Sequence, residues 1–409
     1  MINAQILNDT VFGILRESLF PKSFPVGQTN ISDRALLIRT FSEMQTQTVS
    51  TLLDHWLDIQ KHLIDESLYI RWKEHNRGFQ IKTAYMLFAQ QKIVKLLDEN
   101  GIKSVVIKGA AASMLYPDPF LRQMGDIDLL VKREDFERVC ELMQADEYEQ
   151  RGNSLPDDHH KAFIKYNITF EIHRRLPIVD EHNEELIHFF EDGIDEREFG
   201  LIDKIDFPVL PVVKNGLVLL FHINQHIRVG LGLRQIVDWM MFVDKHIDTE
   251  AWEREYRHVL EKLKLDRFAK VVTKACVMHL GLGGDRAWCM DADGAACDGF
   301  IEYVMQKGNF AIKSSNDDHI ASVFMRSTNP FTLIARAHRL GVAEWPAAGK
   351  HMILRPFASV RHGFKVLAQM KKKKVSMKKL NDLKNEGLRR REFIESIGLE
   401  PDRIIYEEK

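Results

Sequence analysis

The chain has 409 residues, which is enough for two or three domains built around more than one hydrophobic core. Apolar residues make up 45% of it and charged residues 28%, which is typical of a soluble globular protein. Because 57 basic residues nearly balance 59 acidic ones, the net charge of −2 excludes a bulk electrostatic attraction to nucleic acid or to a membrane.

Cysteine content and the shortness of the apolar runs indicate the cellular setting. The four cysteines form no C-x-x-C pair, which predicts reduced thiols; they are Cys140, Cys276, Cys289 and Cys297. Asp291 and Asp293 lie between the last two cysteines, so a metal site formed by these residues is one interpretation. A polar loop is favoured, because zinc ligands usually lie closer together in a sequence. Apolar runs are far below the roughly 20 residues of a membrane-spanning helix, and the N-terminus lacks the pattern of a secretory signal. We therefore expect a soluble, cytoplasmic protein.

Residues 1–100 are predicted to be a helical N-terminal region, because apolar residues recur at helical spacing through most of it. Pro21 and Pro25 interrupt the pattern after a first short helix. The pattern then changes to alternating strands and helices in residues 101–215, which indicates an α/β unit rather than a helical bundle. The strands are predicted at 104–107, 127–131 and 168–173, and the helices between them at 110–115 and 133–143.

Helices are predicted to dominate again in residues 216–360, as a helical C-terminal domain. The predicted helices cover 217–227, 235–243, 252–263 and 268–280, and a further one begins at Phe300 after a glycine- and aspartate-rich loop over 281–299. Residues 361–409 are predicted to be a basic helical tail. Its segment 361–391 carries twelve basic residues against two acidic ones, so it is either a solvated helix or a site for RNA, an acidic lipid surface or an acidic partner.

Asp126 and Asp128 carry the most information about chemistry. Residues two apart in a strand share a face, so these carboxylates are expected to lie side by side at the start of an apolar strand. Their repulsion and burial are unfavourable, and a bound Mg²⁺ or Mn²⁺ ion would offset both costs. The alternative is a strand-initiating aspartate followed by a solvated one. Upstream, Lys108 and Gly109 join a strand to a helix, where small residues let the backbone approach a polyphosphate.

Glu171 is predicted to be the third carboxylate of this group. It shares a strand face with His173, so it reaches the aspartates if the two strands pair; otherwise it lies on the wet face of an edge strand. Arg122 is expected to bind a phosphate bidentately, although a surface arginine in a turn would be ordinary. His222 and His226 share a helix face, and their spacing leaves two roles open: lining the nucleotide cleft, or a hydrogen-bonded core pair.

An ordered set of motifs between roughly residues 85 and 245 resembles a known family. The motifs are Lys108-Gly109, 115–119, Arg122, 125–131, His159-His160, 171–176, 209–211, 222–226 and 233–239. They are similar to the uncharacterised nucleotidyltransferase family of bacterial proteins, a branch of the polymerase-β-like nucleotidyltransferase superfamily. The resemblance implies an α+β fold with a small mixed sheet flanked by helices. It also implies Mg²⁺-dependent transfer of a nucleoside monophosphate (NMP) from a nucleoside triphosphate (NTP) to an acceptor hydroxyl.

In this interpretation three carboxylates bind the metal and activate the acceptor, and four further residues contact the nucleotide. The carboxylates are Asp126, Asp128 and Glu171; the nucleotide contacts are Lys108, Gly109, Arg122 and His173. The acceptor is open between a protein, a small metabolite, a sugar and RNA. Ala110 stands where the superfamily usually has glycine or serine, which leaves open an inactive nucleotide-binding or scaffold protein. An RNA-binding protein acting through residues 361–391 is a third hypothesis.

Overall fold

The computed structural model describes residues 3–152, 159–227 and 230–309, and beyond them residues 338, 341–342, 345, 347–348, 351–372 and 377–401. The described residues up to 309 belong to one compact unit, and those from 338 onward belong to a second. The four-part division expected from the sequence stays a prediction.

The first unit begins with the helical region that the sequence predicts. Its helices are α1 (Ala4–Leu19), α2 (Arg34–Thr46), α3 (Asp54–Ile59) and α4 (Glu66–Glu99). Carboxylates cap α2 and α4: Asp33 accepts a hydrogen bond from the Ala35 amide at the start of α2, and Asp65 accepts one from the Ser67 amide at the start of α4. Helix α4 then runs along the sheet, where its buried residues join the main core.

The described residues form a mixed sheet of seven strands in the order β3-β4-β5-β2-β1-β7-β6. Its strands are β1 (Ser104–Ile107), β2 (Ile127–Val131), β3 (Glu149–Arg151), β4 (His160–Lys165), β5 (Ile168–His173), β6 (Glu198–Ile202) and β7 (Ile205–Val209). Parallel pairs join β2 to β5 and β1 to β7, whereas the other neighbours are antiparallel. This is the α+β fold with a mixed sheet that the resemblance implies.

The register of the central strands positions the candidate site. Asp128 lies opposite Ile107 on β1 and opposite Glu171 on β5. The alternate residues of β2, Ile127 and Leu129 among them, face the core formed with α4 and the helix α6 (Phe136–Ala145). The polar residues therefore share the other face of the sheet, at the point where β1 ends.

Four of these strands, β3, β4, β6 and β7, were not predicted individually from the sequence, although all of them lie within residues 101–215 of the predicted α/β unit. Strand β3 is exposed along its length, and the hairpin of β6 and β7 carries Phe199 and Leu201 exposed at the edge and Pro208 in the strand. Exposed apolar residues and a proline are features that argue against a strand when only the sequence is read.

Helices cover the remaining part of the first unit. They are α5 (Gly109–Ser113), α7 (Glu184–Asp195), α8 (Val212–His226), α9 (Leu233–His246), α10 (Thr249–Ala251), α11 (Arg257–Lys262), α12 (Asp266–Leu280) and α13 (Gly294–Lys307), with a π-helical turn at Trp252–Tyr256. The predicted loop over 281–299 was wrong in its second part, because α13 begins at Gly294. Asp293 caps this helix by accepting hydrogen bonds from the amides of Ala295 and Ala296, a signal that the sequence contained.

Helices α8 and α9 approach closely at Gly216. A Cβ atom there would lie 2.4 Å from Cε1 of Phe242 and 3.2 Å from a ring carbon of Tyr256. We expect Gly216→Ala to lower the free energy of unfolding by about 1–3 kcal/mol, because overpacking outweighs the better helix propensity of alanine. Urea unfolding measures this change.

Gly299 in α13 is the matched control, since a Cβ atom there would meet no atom within 4 Å. Gly299→Ala is expected to raise the free energy of unfolding by up to about 1 kcal/mol. A stabilised Gly216→Ala variant would contradict the close packing of α8 against α9.

The second unit contains helices α14 (Arg355–Lys372) and α15 (Met377–Ser396) among its described residues. They include most of the basic segment 361–391, of which residues 373–376 lie outside the described residues. Arg390 forms an ion pair with Glu386 one helical turn away, so part of the segment's positive charge is balanced locally. The role of the segment stays a prediction. None of the helices in the described part of the chain is long and apolar enough to cross a membrane.

Candidate metal and nucleotide site

A sharp turn after β1 carries Lys108 into the site. Lys108 adopts φ 56° and ψ −127°, a backbone conformation that side-chain-bearing residues rarely adopt, and Gly109 follows with φ 21°. The turn directs the lysine across the sheet, where its Nζ donates to Oδ1 of Asp128 at 2.9 Å. A strained residue held by a buried ion pair is a feature of functional sites rather than of ordinary loops.

Asp128 is the most tightly held carboxylate of the site. Its side chain is buried, and Oδ1 lies 2.9 Å from both Lys108 Nζ and His173 Nε2. Burial alone would raise the pKa of this carboxyl, but the lysine charge and the histidine hydrogen bond outweigh it and hold the pKa well below its usual range. Burial likewise opposes the charge of Lys108, yet Asp128 keeps the pKa of the ammonium above its ordinary value. The pair therefore stays ionised.

Glu171 brings a second carboxylate to the same place from β5. One of its oxygens lies 3.5 Å from His173 Nε2 and the other lies 3.7 Å from His160 Nε2 on β4. Burial raises the pKa of Glu171, but its contact with His173 more than compensates, so the pKa is lowered. The side chain of Glu171 keeps 23% of its surface exposed, so it remains open to an incoming ligand.

Asp126 lies just before β2 and remains close enough to repel the other carboxylates. Burial raises the pKa of Asp126 to about 6, and the charges of Asp128 and Glu171 contribute to this rise. Among the described residues, ligand atoms of Asp128, Glu171 and His173 lie within 4.8 Å of one another, and Asp126 is not part of that group. The structure thus brings two of the three predicted metal ligands together, with a histidine as third member.

These residues fit a divalent cation on two grounds. Asp128 and Glu171 offer oxygen ligands of the kind that Mg²⁺ and Mn²⁺ prefer. Burial is the main reason that the pKa of Asp126 is raised, but the charges of Asp128 and Glu171 add to the rise, and a bound cation would relieve that repulsion. Metal dependence itself stays a prediction.

Arg122 has a protein partner instead of facing open space. Its Nε and Nη2 atoms donate to the two carboxylate oxygens of Asp238 on α9 at 2.8 and 2.7 Å, and Tyr116 donates its hydroxyl to the same carboxylate at 2.7 Å. Arg122 and Asp238 are both buried. The bidentate geometry expected for a phosphate is therefore used by Asp238, and phosphate binding by Arg122 stays a prediction that this pairing disfavours.

Arg234 at the start of α9 is a cation that the sequence analysis did not assign to the site. It donates to the backbone oxygen of Gln123 at 2.9 Å and is close enough to Asp126 to lower the pKa of that carboxyl. Burial and the neighbouring charge of Arg122 lower the pKa of Arg234 itself. Because another cation repels the Arg234 guanidinium, an added anion such as a phosphate oxygen would stabilise it.

The helix after Gly109 is shorter than the sequence predicted. Helix α5 covers only Gly109–Ser113, so it adds little of the dipole that a long helix would direct at a phosphate. Gly109 still matters locally, because a Cβ atom there would lie 3.4 Å from Met124 and the positive φ disfavours other residues. Any contact with a triphosphate at this turn would come from Lys108 and the backbone rather than from a helix terminus.

His222 and His226 are buried on α8, with their rings in edge contact at 4.5 Å. Burial lowers the pKa of both imidazoles, that of His226 to about 3, and the positive charge of Lys108 lowers both further. An unfolded histidine takes up a proton near pH 6.5, whereas these folded ones do not. Stability is therefore lost as the pH falls below about 6.5.

We expect this pair to contribute up to about 1.4 kcal/mol of lost stability per pH unit for each histidine between about pH 6 and pH 4. The double variant His222→Gln with His226→Gln should show a smaller loss over that range, measured by urea unfolding at several pH values. His182→Gln is the control, because its side chain is 87% exposed. An unchanged pH dependence in the double variant would refute the assignment.

Two further site residues were missed or placed only loosely from the sequence. Nε2 of His159 lies 3.0 Å from Nδ1 of His160. Asp238 accepts hydrogen bonds from Arg122 and Tyr116, a pairing that was not predicted from the sequence. The adjacent His159-His160 pair was a usable signal, but no local pattern links Asp238 to residues more than a hundred positions away.

Comparison with known proteins agrees with the motifs. The sequence model of a family described as "Uncharacterised nucleotidyltransferase" matches residues 39–281. Among solved structures, an antigenic nucleotidyltransferase-like protein from Paracoccidioides brasiliensis is similar at 12% identity with a TM-score of 0.30, over 50% of this chain and 95% of that one. No curated protein matches the chain. Because the family match spans more than half of the 409 residues, this chain belongs to the uncharacterised nucleotidyltransferase family.

Proposed function

We propose that the protein is a metal-dependent nucleotidyltransferase that moves an NMP group from an NTP to an acceptor hydroxyl. The observation that carries the proposal is the register of β2 against β5, which sets Asp128 directly opposite Glu171. Two ionised carboxylates beside a lysine, at the end of a strained turn, are the parts that a metal–triphosphate site needs. Family membership supports the same reaction class.

In the proposed reaction the acceptor oxygen forms a bond to the α-phosphorus, the α–β bridging bond breaks, and pyrophosphate leaves. The proton of the acceptor hydroxyl passes to a carboxylate oxygen of the cluster. Asp128 and Glu171 would hold Mg²⁺ or Mn²⁺, with Asp126 beside them. When bound, the ion supplies charge neutralisation for the triphosphate and lowers the pKa of the attacking hydroxyl.

The cations around the cluster have separate roles in this proposal. Lys108 is a point charge that can turn from Asp128 to the triphosphate once another cation neutralises the carboxylate. Arg234 lies on the Asp126 side and is available for a phosphate oxygen. Arg122 positions the segment before β2 through its ion pair with Asp238.

The direct test is transfer of label from each of the four α-³²P-NTPs, with Mg²⁺ or Mn²⁺ and a cell lysate as source of acceptor. Glu171→Gln is expected to reduce the initial rate at least about 100-fold, because it removes a metal ligand while keeping the size of the side chain. Glu141→Gln, on the exposed side of α6, is the control and should transfer label at the wild-type rate. Absence of transfer by the wild type, or equal transfer by Glu171→Gln, would refute the proposal.

One observation favours a second candidate, a nucleotide-binding protein without turnover. Lys108 already neutralises Asp128, so part of the negative charge that would hold a metal is balanced without one. Ala110 also replaces the usual glycine or serine of the superfamily. Calorimetry separates the two functions: NTP binding with metal, without pyrophosphate release under any acceptor condition, supports this second candidate. The acceptor, and RNA or an acidic partner at residues 361–391, stay predictions.

A further inference from the structure

Three histidines lie together at the candidate site. His159 directly precedes β4, His160 begins it, and His173 ends β5; the ligand nitrogens of all three lie within 4.8 Å of one another. The rings of His160 and His173 stack with centroids 5.1 Å apart. His173 also belongs to the group of Asp128 and Glu171, so the nitrogen ligand atoms of one group adjoin the oxygen ligand atoms of the other.

The nitrogen atoms are aimed at the carboxylates. Nε2 of His173 lies 2.9 Å from Asp128 and 3.5 Å from Glu171, and Nε2 of His160 lies 3.7 Å from the other oxygen of Glu171. A cation placed among the carboxylate oxygens would therefore meet imidazole nitrogens as well. The His173 side chain is only 1% exposed, so its Nε2 is held beside the carboxylates and cannot turn to solvent.

His159 has the geometry of an orienting partner for His160. Its Nε2 lies 3.0 Å from Nδ1 of His160, so a hydrogen bond from that Nδ1 leaves the His160 Nε2 lone pair directed at Glu171. Metal-binding histidines commonly have their second ring nitrogen fixed by such a hydrogen bond, which sets the tautomer that can coordinate.

We propose that His160 and His173 are ligands of the metal, and that this mixed nitrogen and oxygen set makes the centre selective for a transition-metal dication over Mg²⁺. Mg²⁺ strongly prefers oxygen ligands, whereas imidazole favours Mn²⁺, Co²⁺ and Zn²⁺ in the increasing order of their affinity for nitrogen. The inference rests on the proposed function only for the place of the metal, since binding requires neither NTP nor turnover.

The test uses the full chain, stripped of metal with a chelator and loaded with one equivalent of Mn²⁺. Electron spin-echo envelope modulation should show ¹⁴N coupling from directly bound imidazole, which oxygen ligation alone does not give. In His160→Gln we expect weaker coupling and Mn²⁺ binding weakened about tenfold or more, with a smaller change for Mg²⁺, measured by calorimetry. His182→Gln, at an exposed histidine, is the matched control and should bind both ions as the wild type does.

Lack of ¹⁴N coupling in the Mn²⁺-loaded wild type would overturn the inference, and so would an unchanged spectrum in His160→Gln. The wild-type spectrum alone shows whether imidazole binds the ion, so the test needs no variant of the buried His173. The two proposals fail separately. Nitrogen coupling without label transfer would refute the transferase function alone, whereas Mg²⁺-supported transfer with oxygen-only Mn²⁺ ligation would refute the histidine ligands alone.

Discussion

Asp128→Asn should reduce nucleotidyl transfer at least about 100-fold and lower the free energy of unfolding by about 3–5 kcal/mol. Each effect has its own cause: the substitution removes a proposed metal ligand, which lowers transfer, and it leaves the buried Lys108 ammonium without the carboxylate it pairs with, which lowers stability. An uncompensated buried charge costs far more than the ion pair contributes, because desolvation is not repaid. Label transfer and urea unfolding measure the two effects on the same preparation.

A double variant separates the two roles of Asp128. Lys108→Met with Asp128→Leu replaces both charges by apolar side chains of similar size, so most of the lost stability should return while transfer stays absent. If the double variant is as unstable as Asp128→Asn, the ion pair does not explain the stability effect. If it transfers label, the carboxylate is not a metal ligand.

Asp238→Asn is expected to destabilise the fold by a similar amount, about 3–5 kcal/mol. Asp238 is 1% exposed and accepts three hydrogen bonds, two from Arg122 and one from Tyr116, so the substitution leaves a buried guanidinium without its charge partner. Burial opposes the charge of Arg122, and Asp238 is the main group that keeps the pKa of that guanidinium raised. Both the melting temperature and the urea concentration at the midpoint of unfolding should fall.

Two further variants define the cause of that effect. Arg122→Lys keeps the charge but loses the two-pronged geometry, so it should also destabilise, although a lysine is formally conservative. Glu261→Gln breaks an exposed pair with Arg257 and should leave the unfolding transition where it is, because solvent screens such pairs. Wild-type stability in Asp238→Asn would show that the ion pair is not a major contact between α9 and the segment before β2.

The central part of the fold could be predicted because its signals are local. The β-branched run before Lys108, the alternation around Asp128 and the alternation around Glu171 each predict a strand from a few neighbouring residues. Once those strands were expected, the side of the sheet on which each carboxylate lies followed from the period of two. Their pairing did not follow, since nothing in the sequence states that β2 and β5 are parallel neighbours.

Contacts between distant residues account for what the sequence did not predict. Arg122 and Asp238 are 116 positions apart, and both have ordinary local surroundings, so only the folded chain reveals that the arginine is paired with this carboxylate. Strand β7 pairs with β1 in parallel. The residues of β7 do not indicate which strand it pairs with. The adjacent pair His159-His160 is visible in the sequence, but no local pattern predicts that it lies beside His173 and Glu171.

The buried cysteines have a practical consequence for measuring motion. All four thiols are free and buried, and burial raises the pKa of each, to about 11 for Cys140, Cys289 and Cys297, so a thiol-alkylating reagent finds little thiolate on the folded protein. Cys140 packs with the sheet, whereas the other three lie among the last helices of the first unit. The rate at which each becomes alkylated therefore reports opening of its own region, and unequal rates would reveal that the helices separate from the sheet before the whole unit unfolds.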